Sequence, residues 1–392
     1  MGMGQNRDLH IIGVDKTQGT RNLRMTTTIR RIAISTGGGD APGLNAVIRA
    51  ATIAARTRGW DVVGIRDGFN GLMFPERYID GGLIRLDRTT VRGITHTGGT
   101  IIGTTNRGNP MRFPVPQGDG TYKEEDRTDE LIARFRMHDI DALVTIGGDG
   151  SLTLADHLHR KGLWVVGVPK TIDNDLDKTE ATFGFDTAVA FATECIDRLN
   201  STASSHGRIM IVEVMGRYAG WIALNAGVAS AADVVLIPEI PYDINKVAQK
   251  IRERQAAGRL FSIVVVAEGA KPQDGELTVK GKSIGQAERL GGVGEKVAHE
   301  LEQLTGKESR VVVLGHLLRG GSPTAFDRLV GLRFGAAAIR ALEEGQRGIM
   351  VSLTPPTVSY VPLEAACSRM KTVPIDSDTM LTARDMGMSF GD

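Results

Sequence analysis

The chain has 392 residues, of which 41% are apolar and 24% are charged, and its formal net charge is +1. This length allows two ordinary domains or one large domain with a sizeable core. The balanced charge excludes a general attraction to nucleic acid or membranes, so an anionic ligand would need a local cluster of Arg and Lys side chains.

The cysteines, Cys195 and Cys367, lie far apart in the sequence and form no CxxC pair. This pattern predicts neither a disulfide framework nor a zinc site, and it fits a reducing compartment. No apolar run approaches the length of a membrane span, and no signal peptide is evident. We therefore expect a cytoplasmic protein with no nucleic-acid or membrane partner.

The beginning of the chain predicts an extension followed by a strand, a glycine loop and a helix. Residues 1–24 are polar and basic without periodicity, so we expect a flexible N-terminal extension. A strand is predicted over 31–36, followed by the glycine-rich stretch 37–43 and a helix over 44–58. Such a helix start favours a bound phosphate, although the same turn also suits simple tight packing of helix on strand.

A second glycine loop follows later in the chain. The segment 96–107 is rich in Gly and Thr and includes Arg107, and 108–127 is predicted to be a surface loop because it is polar and rich in Pro and Gly. A strand over 142–146 then leads to Gly147-Gly148-Asp149-Gly150-Ser151, and a helix is predicted over 152–160. The loop places a carboxylate beside glycines at a strand end.

The most informative stretch is Val168-Pro169-Lys170-Thr171-Ile172-Asp173-Asn174-Asp175. It ends a predicted buried strand over 163–168, and open α/β sheets bind ligands where their strands end. An alternative is a polar turn in which Asn174 or Asp175 caps the next helix.

The second half of the chain continues the alternation of helix and strand, which predicts a doubly wound parallel sheet. Predicted strands over 209–214, 261–267 and 310–314 are each followed by polar or glycine-rich residues. Carboxylates that can hold Mg²⁺ or accept a proton, together with cations for phosphate groups, are the inventory of phosphoryl transfer. The residues near strand ends that supply it are Asp149, Asp173, Asp175, Arg208, Arg217, Glu268, Arg310, His316 and Arg319.

The ordered motifs resemble those of the 6-phosphofructokinase family, in register from about Ile32 to about Arg340. The matching segments are Gly38-Gly39-Asp40-Ala41-Pro42-Gly43-Leu44-Asn45, Gly147 to Ser151, Pro169 to Asp175, Val214-Met215-Gly216-Arg217, Gly315-His316 and Arg319-Gly320-Gly321. The segment Gly147 to Gly150 alone also occurs in kinases that act on lipids or on NAD.

The resemblance implies an α/β fold of two similar domains, each with a mostly parallel sheet flanked by helices, and an active site between them. The expected phosphoryl-donor (ATP/Mg) domain comprises 25–184 plus about 318–345. The expected sugar-phosphate domain comprises 185–317 plus about 346–392. The implied reaction is Mg²⁺-dependent transfer from ATP to fructose 6-phosphate in a homodimer or homotetramer whose sugar-phosphate sites are shared between subunits.

The resemblance also implies roles for individual residues. Asp173 would be the general base, and Lys170, Thr171 and Arg217 would assist it. Asp149 would hold the metal ion. The donor would contact Gly39, Asn106, Arg107, Gly148, Asp149, Gly150 and Ser151. The sugar phosphate would contact Thr171, Asp173, Asp175, Arg208, Met215, Gly216, Arg217, Glu268, Arg310, His316 and Arg319.

Several of these residues have a purely structural alternative. Met215 is compatible with core packing, His316 with an ordinary hydrogen-bonded histidine, and Glu268 with a surface ion pair to Lys271. Asn106 stands where well-known bacterial members have an arginine, with Arg107 one position later.

The identity of the donor rests on a mixed pair of residues. In this family, Gly at position 150 leaves room for ATP, whereas an aspartate there accompanies pyrophosphate. Lys170 is more typical of pyrophosphate enzymes. An aspartate at position 150 would block the nucleotide directly, and this chain has glycine there. We therefore expect ATP and keep pyrophosphate as the alternative.

Other functions also remain compatible with the sequence. A kinase for another sugar phosphate would use the same cations, and a regulatory protein could bind nucleotide or sugar phosphate without turnover. Loss of Asp149 or Asp173 would mark such a regulator, and both residues are present.

Overall fold

The computed structural model describes residues 29–275, 279–281 and 289–392. The predicted extension over 1–24 lies outside the described residues. None of the helices in the described part of the chain is long and apolar enough to cross a membrane.

The first part of the chain alternates strands and helices as its pattern predicts. Its elements are β1 (Arg31–Thr36), α1 (Leu44–Thr57), β2 (Asp61–Ile65), α2 (Asn70–Met73), β3 (Leu83–Leu86), β4 (Phe113–Pro116), β5 (Tyr122–Glu125), α3 (Thr128–Met137), β6 (Ala142–Gly147), α4 (Asp149–Arg160) and β7 (Trp164–Pro169).

The alternation continues to the end of the chain. The later elements are α5 (Phe185–His206), β8 (Ile209–Val214), α6 (Trp221–Ala229), β9 (Val234–Leu236), α7 (Ile244–Ala256), β10 (Ser262–Ala267), β11 (Val279–Gly281), β12 (Arg289–Leu290), α8 (Val293–Thr305), β13 (Ser309–Val313), α9 (Ala325–Glu343), β14 (Ile349–Thr354), β15 (Thr357–Pro362), α10 (Leu363–Ala366) and α11 (Asp378–Asp385).

The first sheet has seven strands in the order β15-β14-β7-β6-β1-β2-β3. Its five central strands are parallel, and the two edge strands β15 and β3 run antiparallel to their neighbours. Ile32, Ile34, Val144 and Val166 in these strands are fully buried. Strands covered on both faces by helices read as continuous apolar runs, which is why their positions are evident from the sequence.

The second sheet has four strands, all parallel, in the order β13-β8-β10-β9. The predicted α/β class with mostly parallel sheets flanked by helices is therefore confirmed.

Two helices are longer than the sequence predicts. Helix α4 begins at Asp149 instead of Leu152, and a carboxylate in the first turn is favoured by the helix dipole. Helix α5 continues through the small polar run to His206. Within that run the hydroxyl of Ser205 donates a hydrogen bond to the carbonyl of Ser201 (2.8 Å), so this polar run is compatible with a helix. The helix ends at Gly207, which adopts φ +62°.

The predicted surface loop over 108–127 contains a hairpin. Strands β4 and β5 pair antiparallel, and the guanidinium of Arg127 lies 4.8 Å from the ring centroid of Phe113. The predicted loop or hairpin over 271–291 also contains a strand pair, β11 and β12, while 276–278 and 282–288 lie outside the described residues.

The end of the chain departs from the expected domain boundary. Residues from about 346 were assigned to the sugar-phosphate domain, but β14 pairs with β7 and β15 pairs with β14, so both strands belong to the first sheet. Only the last part of the chain reaches the second sheet, where Ser389 bridges Val234 in β9. Short strands after a helix carry no signal that tells which sheet they join.

Close packing of α9 on α1 holds the first sheet's outer layer together. A Cβ atom built on Gly335 would lie 2.5 Å from the carbonyl oxygen of Val47 and 2.9 Å from the Cβ of Ala50. Backbone atoms of α1 cannot move aside as a side-chain tip can, so only glycine fits at this crossing.

We expect Gly335→Ala to lower the free energy of unfolding by about 1–3 kcal/mol, because the added methyl group forces the helices apart. Urea unfolding of the purified protein measures this directly. Gly118→Ala is the matched control, since a Cβ there meets no atom within 4 Å. Equal stability of the two variants would contradict this account of the crossing.

Candidate active site

A cavity of about 380 Å³ opens at the carboxyl ends of β1, β6 and β7. Loops after these strands supply most of its wall, as is general for parallel sheets. The predicted residues that line it are Gly39, Asn106, Arg107, Gly148, Asp149, Gly150, Ser151, Lys170, Thr171, Asp173, Asp175 and Arg319.

The two glycine loops meet around Ser151. A Cβ on Gly37 would lie 2.5 Å from the Ser151 hydroxyl oxygen, and a Cβ on Gly147 would lie 2.4 Å from it. Side chains at either glycine would therefore displace the start of α4. This helix start faces the cavity with backbone N–H groups that suit a phosphate.

Asp173 is the carboxylate most strongly affected by this environment. Its Oδ1 atom is buried and has no hydrogen-bond partner among the described residues. Burial raises the pKa of Asp173 to about 7, helped by the carboxylates of Asp175 and Glu268 and opposed by Arg319 and Lys170. A buried hydrogen-bond acceptor without a partner destabilises the fold unless a ligand supplies the missing donor.

Lys170 joins the first glycine loop to the segment that carries Asp173. Its side chain is buried, and its ammonium group donates a hydrogen bond to the carbonyl oxygen of Gly39. Burial lowers the pKa of Lys170 to about 8, with a further decrease from Arg319, while the carboxylates of Asp40 and Asp173 act in the opposite direction.

The guanidinium group of Arg319 lies against Gly39. A Cβ on Gly39 would come within 1.7 Å of the Nη1 atom of Arg319. The sequence assigned Arg319 to the sugar phosphate and gave no sign of this position. The short helical turn over Gly315–Arg319 follows β13, so a residue from a loop of the second sheet reaches the first glycine loop, which follows β1 of the first sheet.

The polar residues after β7 fall into two groups. Thr171 accepts a hydrogen bond at its hydroxyl from the backbone N–H of Asp173 (3.1 Å). Asp175 faces the cavity, and burial raises its pKa. Asn174 instead stabilises a turn, because it adopts φ +51° and its Oδ1 accepts a hydrogen bond from the N–H of Thr182. Neither Asn174 nor Asp175 caps α5, which follows Gly184.

Asp149 stands at the start of α4 with its side chain open to the cavity. Partial burial raises the pKa of its carboxyl group. Gly150 is next to it, and a Cβ there would meet no atom within 4 Å. The space directly beside the Gly150 Cα atom is therefore open.

A second set of predicted residues follows β8 and β10. Met215 is buried, and Gly216 adopts φ +141°, a conformation that favours glycine. Burial raises the pKa of Glu268, and Arg217, Arg319 and His316 oppose this increase. Arg217 is the cation that lowers the pKa of Glu268 most, and no ion pair between Glu268 and Lys271 is found among the described residues.

Arg208 and Arg310 do not join this site within one chain. Arg208 precedes β8 and Arg310 pairs with Met210 at the start of β13, so both lie at the amino ends of parallel strands. Given the rise per residue of a strand, Arg208 lies about 20 Å and Arg310 about 13 Å from the carboxyl end of β8. Both are held by Glu308, which accepts a hydrogen bond from Arg208 (2.6 Å) and another from Arg310.

Some lining residues were missed by reasoning from sequence. Phe69 and Asn70 follow β2, while Asn109 and Pro110 precede β4, and all of them line the outer part of the cavity. Their only signal is the position after a strand or glycine loop. The side-chain oxygen of Asn109 already makes a local hydrogen bond, since it accepts from the N–H of Met111 (3.0 Å).

Comparisons with known proteins agree on one family. The family described as Phosphofructokinase matches residues 31–342. An ATP-dependent 6-phosphofructokinase of Chloroflexus aggregans is 49% identical over 368 residues, which is 94% of this chain and 99% of the relative. A pyrophosphate–fructose 6-phosphate 1-phosphotransferase of Amycolatopsis mediterranei is 46% identical over 350 residues, 88% of this chain and 97% of the relative.

A solved structure gives the same result. The T-state phosphofructokinase of Pichia pastoris superposes with a TM-score of 0.74 at 32% identity, covering 87% of this chain and 36% of that chain.

We expect Gly39→Ala to lower the affinity for ATP on the order of 10-fold or more, because the methyl group takes the place of the Arg319 guanidinium and narrows the approach to the loop. Calorimetric titration with ATP measures this change. The unfolding midpoint should stay close to wild type, since the displaced group is the tip of a flexible side chain. Wild-type ATP affinity in the folded variant would show that this loop does not contact the donor.

Proposed function

Because the chain belongs to the phosphofructokinase family, we propose that it is an ATP-dependent 6-phosphofructokinase. It would transfer the γ-phosphoryl group of ATP to the C1 hydroxyl of fructose 6-phosphate and form fructose 1,6-bisphosphate, a step of glycolysis. The observation that carries this proposal is the carboxyl group of Asp173 in the cavity lined by both glycine loops, where its Oδ1 atom is buried without a hydrogen-bond partner among the described residues.

Asp173 is suited to act as the general base. A pKa of about 7 leaves much of it deprotonated at neutral pH while it is still basic enough to accept a hydroxyl proton. As the carboxylate takes the proton from the C1 hydroxyl, the sugar oxygen bonds to the γ-phosphorus. The bond from that phosphorus to the bridging oxygen breaks, and ADP leaves without a phospho-enzyme.

Cations around Asp173 would neutralise the charge that moves during transfer. Lys170 and Arg319 reach the donor loop at Gly39, and phosphoryl transfer depends mainly on such positioning and electrostatic stabilisation. Arg217, Glu268, Met215, Gly216 and His316 would line the sugar site. The Thr171 hydroxyl would orient the loop, since it accepts a hydrogen bond from the Asp173 N–H and is near enough to the Asp175 carboxylate to lower its pKa.

The residues present fit a magnesium ion bound with the donor. Asp149 and Asp175 lie close enough for the charge of one to raise the pKa of the other, and both face the cavity. Mg²⁺ usually takes only one or two carboxylates and completes its shell with water and substrate phosphates. Asp149 would hold the ion, which would supply positive charge at the donor phosphates.

ATP is the proposed donor because of the open space beside Gly150. Pyrophosphate is the second candidate, favoured by Lys170 and by the pyrophosphate-dependent relative at 46% identity.

The test is formation of fructose 1,6-bisphosphate from fructose 6-phosphate and Mg²⁺, with ATP and pyrophosphate in parallel. We expect turnover with ATP, and we expect Gly150→Asp to abolish it, because a carboxylate there meets the nucleotide phosphates. Gly118→Ala, which should keep wild-type turnover, is the control for activity lost during purification. Turnover with pyrophosphate alone would overturn the choice of donor, and no turnover with either would overturn the proposed activity.

The pH dependence follows from the pKa of Asp173. We expect kcat/KM for fructose 6-phosphate to fall as the pH decreases through about 7, because protonation removes the general base. Asp173→Asn should lower kcat by about 10²–10⁴-fold and remove this limb of the profile. A wild-type profile that stays flat down to pH 5 would contradict this role.

An oligomer with shared sites is the arrangement that uses Arg208 and Arg310. Within one chain they are roughly 20 Å from Glu268, given the rise per residue of a strand, and both are ion-paired with Glu308. A second copy would bring this end of its sheet to the sugar phosphate. We propose a homodimer or homotetramer on this basis.

Mixed oligomers test the arrangement. Asp173→Asn removes the base from a chain, and Arg310→Ser removes the cation that the chain lends to its neighbour. Each variant alone should be nearly inactive. A mixed oligomer should regain activity, because one kind of site then contains an intact Asp173 and an intact Arg310. Absence of recovery in mixtures of confirmed composition would argue that both residues act within one chain.

The loops of the first sheet would bind the donor, and those of the second would bind the sugar phosphate. We propose the cytoplasm as the location, because both substrates are metabolites of that compartment.

A further inference from the structure

The chain passes from the first sheet to the second a last time near its C-terminus. After α10 it runs through residues 369–373, which we name the C-terminal strap, and then reaches α11, which packs on α6. The strap therefore touches elements of both sheets. No residue of the strap lines the cavity.

On one side the strap binds the segment that follows Asp173. The N–H of Lys371 donates to the carbonyl oxygen of Asp175 (2.9 Å), and Met370 forms a bridge with Leu176. Arg369 donates to the carboxylate of Asp177 (2.6 Å). These contacts fix the backbone directly beyond the catalytic carboxylate.

The side chain of Lys371 extends the same attachment. Its ammonium group donates to the carbonyl oxygens of Thr179 (3.0 Å) and Glu180 (2.6 Å). Burial lowers the pKa of Lys371, and the two carbonyl oxygens stabilise the charged form of its ammonium group.

On the other side the strap binds the start of α6. The indole N–H of Trp221 donates to the carbonyl oxygen of Lys371 (2.9 Å), and the ammonium group lies 5.2 Å from the Trp221 ring centroid. Glu239 accepts from the N–H of Val373 (2.8 Å) and from the N–H of Gly220 (3.0 Å). Helix α6 begins directly after the loop that contains Met215, Gly216 and Arg217.

We propose that the strap sets the distance between the catalytic loop and the sugar-binding loop, and that Lys371 is a positioning residue for phosphoryl transfer. Lys371 is hydrogen-bonded to the backbone of Asp175 and to the side chain of Trp221, the first residue of α6. A shift of either loop would therefore displace the other. This inference rests on the proposed function, in which Asp173 and Arg217 act on the same sugar.

Kinetics of strap variants test the proposal. We expect Lys371→Met to lower kcat/KM for fructose 6-phosphate on the order of 10-fold or more, because small misplacements of reacting groups are costly. The KM for ATP should stay unchanged, since the strap does not reach Gly39. Lys371→Arg keeps a cation that can donate to the same carbonyls and should restore most of the loss. Lys296→Met, at an exposed site on α8, is the control.

A double variant separates positioning from general stability. Trp221→Phe removes the indole bond to Lys371 while it keeps an aromatic ring. If both residues act through the strap, the double variant should lose little more than the worse single variant. Additive losses, equal effects on both substrates, or wild-type kinetics of Lys371→Met would overturn the proposal.

Amide hydrogen exchange gives a readout that does not need turnover. Lys371→Met should speed exchange over 174–180 and around the start of α6, and leave α1 and α9 unchanged. If the wild-type protein made no fructose 1,6-bisphosphate, the proposed function would fail, while this exchange pattern would still support the strap and unchanged exchange would overturn it.

Discussion

The hydrogen bond from the buried ammonium group of Lys170 to the carbonyl oxygen of Gly39 is the interaction on which the site depends. It joins the loop after β1 to the loop after β7 across the intervening strand β6. Each loop alone could take many conformations, because glycines dominate the first and a polar turn forms the second. Linked through Lys170, they hold the first glycine loop and the Asp173 carboxylate at a fixed separation.

The same burial sets the protonation of the groups involved. Removing water raises the pKa of Asp173 and lowers that of Lys170, so both values approach neutrality. An acid and a base near neutral pH are useful for chemistry but costly for folding, because each is only partly compensated. The cost is tolerated because the surrounding strands and helices bury large apolar surfaces that do not depend on the site.

Local features of the fold and site were predictable from sequence. Continuous apolar runs located β1, β6, β7, β8 and β10, and glycine or carboxylate residues directly after them marked the loops that form the cavity. Asp149 and Asp173 were identifiable because short-range patterns decide both the strand and the residue that ends it. The C-terminal end of α5 was not predictable from sequence. Hydroxyl groups in its last turns donate hydrogen bonds to backbone carbonyls, and composition alone does not reveal these bonds.

Long-range placement was not predictable. Arg319 and Gly39 are far apart in the chain, and only the packing of the two sheets brings the guanidinium group to the glycine. Arg208 and Arg310 carry the same charge as Arg319, yet the direction of their strands puts them at the opposite end of the sheet. Strands β14 and β15 likewise join the first sheet through pairing that no local pattern specifies.

The most direct test of this account is a titration of Asp173 itself. Infrared difference spectra of the carboxyl band, wild type minus Asp173→Asn, would be recorded from pH 4 to pH 9 without substrate. The account predicts a protonated carboxyl band that disappears with a midpoint near 7 and is absent from the variant. A midpoint at the ordinary aspartate value of about 4 would contradict it, because the carboxylate would then be solvated and the loops not closed around it.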